Sequence, residues 1–157
     1  MISPKIVELK MRHSVGLKKT MSMAPEHIKS LWQEFMPQLH KIEGRKSQEL
    51  IALQDFSNSD PNNPTDLFDM WALTEVKEEN AFPDGMTPFN IPEGVYAVFL
   101  LKGTDVQGLM TFIMKDWLPH SEYKLDATRP HFQIMGKTYK NNHPDSEEDF
   151  YIPILRK

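Results

Sequence analysis

The carboxylate of Asp149 and the phenol of Tyr151 stand two residues apart in Glu147-Glu148-Asp149-Phe150-Tyr151-Ile152-Pro153-Ile154. At the period of two of a β-strand they share one face with Pro153, while Phe150, Ile152 and Ile154 share the other. The second face reads as core. The first, an acid beside an aromatic hydroxyl and a ring, suits the floor of a binding groove better than a solvated surface, with a plain polar strand-edge role for Asp149 equally open. Glu148 points to the opposite face and cannot stand in for Asp149. Trp71, Tyr96 and Trp117 are the further aromatic candidates for such a lining. Each has a core role open to it: Trp117 ends an apolar helical stripe, and Trp71 can plug an interface. A carboxylate in a dry aromatic groove could also act as a general base, with Tyr151 or Tyr96 as proton donor. Nothing in the chain resembles a nucleophile with its base, so binding is the preferred reading and no catalytic residue is assigned.

Other chemistries find less support. The six histidines, His13, His27, His40, His120, His131 and His143, include no pair at metal-ligand spacing, and there is no cysteine, which excludes thiolate zinc sites, a thiol nucleophile and a disulfide framework. No metal or cofactor is expected. A formal net charge of -4 argues against direct nucleic-acid binding, which needs a basic face, and Lys18-Lys19 and Arg45-Lys46 read as solvated charges. No apolar run approaches the ~20 residues that span a bilayer, and residues 1–10 lack the apolar core of a secretion signal. The expectation is a soluble cytoplasmic protein. With 157 residues, 10 Met, 9 Phe, 4 Tyr and 3 Trp, one domain can bury a full core and line an adaptable pocket.

The elements that must position these residues follow from hydrophobic period. Residues 5–17 read as a first strand region with a kink or bulge. Ser22 is a candidate N-cap and Pro25 suits the first turn of a helix, in which Ile28, Leu31, Trp32, Phe35 and Leu39 recur at helical spacing until Pro37 ends or bends it. Residues 49–56 and 67–76 are strands, 57–65 a polar loop, and 77–85 a charged joint. An offset of 82 residues then carries Trp32-Gln33-Glu34-Phe35-Met36-Pro37 onto Met114-Lys115-Asp116-Trp117-Leu118-Pro119, and Phe68 onto Phe150. The same offset lays residues 13–17 on a strand at 95–99, Ser22 on a helix-capping Thr104, and 49–53 on 131–135. Two β-α-β-β repeats, about 4–76 and about 86–155, are therefore expected within a single α+β domain, 1–157. They would pack about a pseudo-two-fold axis with a central ligand groove.

Several stretches resemble the GyrI-like family, the AraC-type effector-binding domain: Leu31-Trp32-Gln33-Glu34-Phe35-Met36-Pro37, Trp71-Ala72-Leu73-Thr74-Glu75-Val76, Ile91-Pro92-Glu93-Gly94-Val95-Tyr96-Ala97-Val98-Phe99, Trp117-Leu118-Pro119-His120-Ser121, Arg129-Pro130-His131-Phe132 and Asp149-Phe150-Tyr151-Ile152-Pro153-Ile154. The resemblance covers most of the chain. It implies SHS2-like β-α-β-β units and an aromatic groove that binds amphipathic, cationic or planar compounds around a central glutamate. By its place before Ile-Pro-Ile, that acid corresponds to Asp149, shorter by one methylene. With no room for a helix-turn-helix before the first strand, the chain resembles the stand-alone, drug-sequestering form. Some relatives resemble hydrolases of strained electrophiles, which is the alternative activity. The ligand, any protein partner and the oligomeric state are not readable from the residues.

Overall fold

The computed structural model describes all residues except 1, 2, 23, 24, 58, 60–66, 78–81 and 142, and describes Pro25 by its backbone alone. Most of the polar loop at 57–65 and half of the joint at 77–85 thus lie outside the described residues. The strands are β1 (Lys5–Leu9), β2 (Arg12–Met21), β3 (Leu50–Asp55), β4 (Phe68–Glu75), β5 (Thr87–Ile91), β6 (Gly94–Lys102), β7 (Tyr123–Leu125), β8 (His131–Met135) and β9 (Glu147–Arg156). Helix α1 (Pro25–Phe35) tightens into a 3-10 segment, Met36–Lys41, as Pro37 requires. Helix α2 (Val106–Phe112) widens into a π-turn, Ile113–Trp117, and closes with Leu118–His120. Its N-cap is Asp105, whose carboxylate accepts from the Gly108 amide at 2.8 Å, one residue beyond the Thr104 that the offset suggested.

All pairings are antiparallel, and eight strands run in the order β1-β6-β9-β8-β3-β4-β2-β5, with β7 added to the end of β9. The single strand region expected at 5–17 is in fact two strands that go to different places. β1 pairs with β6 from Lys5↔Val98 to Leu9↔Gly94, whereas β2 lies between β4 and β5. That topology dictates the shape. Laid flat, β1 and β2 would be six strand spacings apart, roughly 29 Å, yet the link from Leu9 to Arg12 reaches at most about 11 Å. The link from Ile91 in β5 to Gly94 in β6 is equally short. The sheet must curl until its two ends nearly meet, giving an α+β half-barrel with two helices outside.

Each face of the curled sheet then has its own core. Outside, Leu31 and Phe35 of α1 pack on Val15, Ala52, Met70 and Ala72, and Leu109, Ile113 and Leu118 of the second helical segment pack on Ala97, Phe99, Phe150 and Ile152. Inside, Val7, Leu9, Ile51, Leu53, Trp71, Leu73, Phe89, Ile91, Tyr96, Phe132, Ile134 and Tyr151 form one cluster without a helix over them. Curling alone buries them.

Candidate functional site

The inner face gathers most of the expected aromatic residues. Register puts Trp71, Leu53, Phe132 and Tyr151 in one row across β4, β3, β8 and β9, because Leu53 lies opposite both Trp71 and Phe132 and Phe132 lies opposite Tyr151. The Phe132 and Tyr151 rings stack at 4.5 Å, Tyr96 meets them edge-on at 5.4 and 6.3 Å, and Trp71 meets Phe89 at 4.9 Å. Of the expected lining, Trp71, Tyr96 and Tyr151 are therefore brought to one enclosed surface. Tyr96 is fully buried and its hydroxyl donates to the Pro92 carbonyl at 2.7 Å. Burial raises its phenol, against the lowering pull of Arg129, whose guanidinium lies 4.8 Å from the ring centre.

Arg129 holds this wall together. Its Nε donates to Asp126 at 2.7 Å, and its two terminal nitrogens donate to the carbonyls of Val95 and Ile154 at 3.1 and 2.9 Å. Gly94 sits beneath it with φ 145°, where a Cβ would collide with the guanidinium. Burial works to raise the Asp126 carboxyl but is outweighed by hydrogen bonds from Thr128 and Arg129, which hold it below the usual range. A cavity of about 650 Å³ adjoins this cluster, but three of the five guanidinium N–H donors are already spent on the scaffold.

Asp149 lies at the rim of the inner face, opposite Leu100 on β6 and Ile134 on β8, and is solvent-exposed. It lines a cavity of about 550 Å³ together with Glu49, Leu100, Ile134, Lys137 and Glu148. Tyr151, half-buried, is the next residue on the strand face of Asp149 and stacks on Phe132 of the aromatic interior. Burial raises its phenol, Arg12 opposes the rise, and Asp149 and Glu49 reinforce it. Arg12 was not anticipated as part of the site, although its position at the start of a strand that turns inward was the available signal.

Glu148 points away from Asp149, as the strand period requires. It is 9 % exposed and accepts a 2.9 Å hydrogen bond from Gln133 Nε2. Burial lifts its carboxyl to about 7, partly offset by that bond. Nothing in the sequence marks it out from Glu147 or Asp149. Trp117 is not brought to the inner face. The π-turn directs it under the second helical segment, edge-on to Phe99 at 5.2 Å and stacked on Tyr123 at 6.2 Å, so the core role open to it is the one it fills. Among the described residues no cluster of histidine, aspartate and glutamate could hold a metal. His131 is instead enclosed beside Phe56, and burial lowers it to about 4.

The fold is a curled antiparallel half-barrel with two outer helices, and residues 2–155 match the family described as GyrI-like small molecule binding domain. The chain belongs to the GyrI-like family. It is similar to the transcriptional regulator BrlR of Pseudomonas aeruginosa, 31% identical over an aligned length of 156 that covers 96% of this chain and 54% of that one. The chain thus spans about half the length of that relative. In fold it is similar to SAV2435 bound to tetraphenylphosphonium, with a TM-score of 0.73 at 13% identity over 97% of this chain and 93% of that one. It is also similar to a hydrolase from Listeria innocua, with a TM-score of 0.60 at 12% identity over 98% and 92%. Among the described residues no helix is long and apolar enough to cross a membrane.

Proposed function

We propose that the chain binds small amphipathic compounds, cationic or planar aromatic, in the groove whose interior holds Trp71, Tyr96, Phe132 and Tyr151 and whose rim holds Asp149. The observation that carries this reading is that Asp149 and half-buried Tyr151 share one strand face, Tyr151 stacking at 4.5 Å on Phe132 of the aromatic interior while Asp149 lines a 550 Å³ cavity at the rim. Rings supply contact area and cation-π attraction, and the rim acids supply selectivity for positive charge. Arg12 balances those acids in the free protein. Tetraphenylphosphonium, the compound held by a protein of the same fold, combines aryl rings with a positive charge and is the natural first probe.

The groove is further read as lying between two β-α-β-β repeats, each preceded by a short extra strand, β1 or β5, about a pseudo-two-fold axis. In support, replacing β1, β2, β3 and β4 by β5, β6, β8 and β9 turns the strand order β1-β6-β9-β8-β3-β4-β2-β5 into its own reverse, with β3 and β8 paired at the centre. The short strands β1 and β5 each cross to the other repeat, which ties the halves into one unit.

Titration of tetraphenylphosphonium by tryptophan fluorescence or calorimetry tests the proposal, with triphenylphosphine oxide as the neutral comparison. Asp149→Asn keeps the shape and removes the charge, and should weaken the cation several-fold while leaving the neutral compound almost unchanged. Equal losses for both, or none, would make Asp149 a structural residue. Recovery of the probes intact by mass spectrometry would accord with binding, and their conversion would establish the hydrolytic alternative.

A further inference from the structure

The inner cluster is largely apolar, and its buried polar atoms can be followed, the Tyr151 phenol to Arg12 first. The Tyr96 hydroxyl donates to Pro92, and the Ser14 hydroxyl donates to the Phe89 carbonyl. Trp71 differs. Its side chain is 6 % exposed, it belongs to the inner cluster, and its indole Nε1–H is buried without an acceptor among the described residues. Buried donors are almost always paired, because losing water without gaining an acceptor leaves the full desolvation cost unrecovered. A core role would have been served as well by phenylalanine, which fills space with no donor to satisfy.

We propose that Trp71 is the specificity-determining donor of the groove, and that the preferred ligand is an aromatic cation carrying a hydrogen-bond acceptor, such as a carbonyl or ether oxygen, that Trp71 Nε1–H receives. This deepens the reading of the groove as a cation site and rests on it. The row Trp71, Leu53, Phe132, Tyr151 gives the spacing. The acceptor lies toward β4 and the positive charge toward β9 and Asp149, at most three strand spacings apart, about 14 Å in a flat sheet and less in a curled one. Lys18 Nζ, 5.7 Å from the Trp71 ring centre, adds a cation at the Trp71 end. Asp69 Oδ2 lies 4.0 Å from that Nζ and offsets its charge, so the ligand's orientation rests on the Trp71 donor at one end and Asp149 at the other.

Two probes separate the donor from the rest of the site: (4-benzoylbenzyl)triphenylphosphonium, and its 4-benzyl analogue in which the carbonyl is a methylene. The wild-type protein should bind the ketone about tenfold more tightly, the scale of one recovered buried donor. Trp71→Phe should bring the ketone down to the affinity of the analogue. In a ¹H–¹⁵N spectrum, where the 3 tryptophans give separate indole signals, the Trp71 resonance should move downfield with the ketone and not with the analogue. That measurement needs no variant and stands even if Trp71→Phe folds poorly. Equal affinity for the two probes with an unmoved indole signal would overturn the donor role alone, leaving the cation groove in place. Failure of both probes and of tetraphenylphosphonium to bind would overturn the groove reading and this inference with it.

Discussion

Glu148→Gln should stabilise the protein at neutral and alkaline pH while leaving its stability near pH 4 unchanged. The glutamate is enclosed, with Gln133 its one donor among the described residues, and burial lifts its carboxyl from 4.5 to about 7. At about 1.36 kcal/mol per pH unit, that difference corresponds to roughly 3 kcal/mol. Between pH 4.5 and 7 the folded protein keeps a proton that the unfolded chain releases, so this residue lowers stability as pH rises through the window. His131 works in the opposite sense: burial lowers it from 6.5 to about 4, the unfolded chain takes up a proton that the folded one refuses, and stability is lost as pH falls from 6.5 to 4. The two slopes nearly cancel between about pH 4.5 and 6.5, and the wild-type protein should look almost insensitive to pH there. Glutamine keeps an oxygen for Gln133 and cannot ionise. Urea unfolding at pH 4, 5, 6, 7 and 8 should therefore give a difference between variant and wild type that starts near zero and grows to about 3 kcal/mol. For a domain of this size that is a rise in Tm of about 6–12 °C. The variant alone should also gain stability from pH 4 to 6.5, the His131 contribution no longer masked. Parallel pH profiles for the two proteins would refute the burial of an ionising Glu148.

Arg129→Met should cost about 3–5 kcal/mol, because it leaves Asp126 buried without its partner, and adding Asp126→Asn should restore part of that loss in a double-mutant cycle of urea unfolding. Trp117→Ala should cost about 3–5 kcal/mol through the cavity left against Phe99 and Tyr123, while calorimetry should find its affinity for tetraphenylphosphonium unchanged. A large loss of affinity in a protein that remains folded would return Trp117 to the site.

Local pattern determined a good deal of this protein. Helical spacing from Ile28 to Leu39 placed α1, with Leu31 and Phe35 on its buried side, and Pro37 marked where its geometry changes. Strand period put Asp149 and Tyr151 on one face and Glu148 on the other, and that division holds across β9. Such signals are carried by neighbours in the chain, so they need no knowledge of the fold. Tertiary structure decided the rest. Two residues between Leu9 and Arg12 look like a bulge in one strand until the sheet curls and brings its two ends together. A period of two says which side chains share a face but not which face closes, so Tyr96 and Phe132 became the interior while Asp149 remained at the rim. The apolar stripe of the second helix was equally compatible with either face for Trp117, and the π-turn resolved it. Burial of Glu148 and His131, and the unpaired indole of Trp71, depend on partners that arrive from β3, β4 and β8 through long-range register. No spacing along the chain encodes those meetings, because they are set by which strands the curl brings side by side.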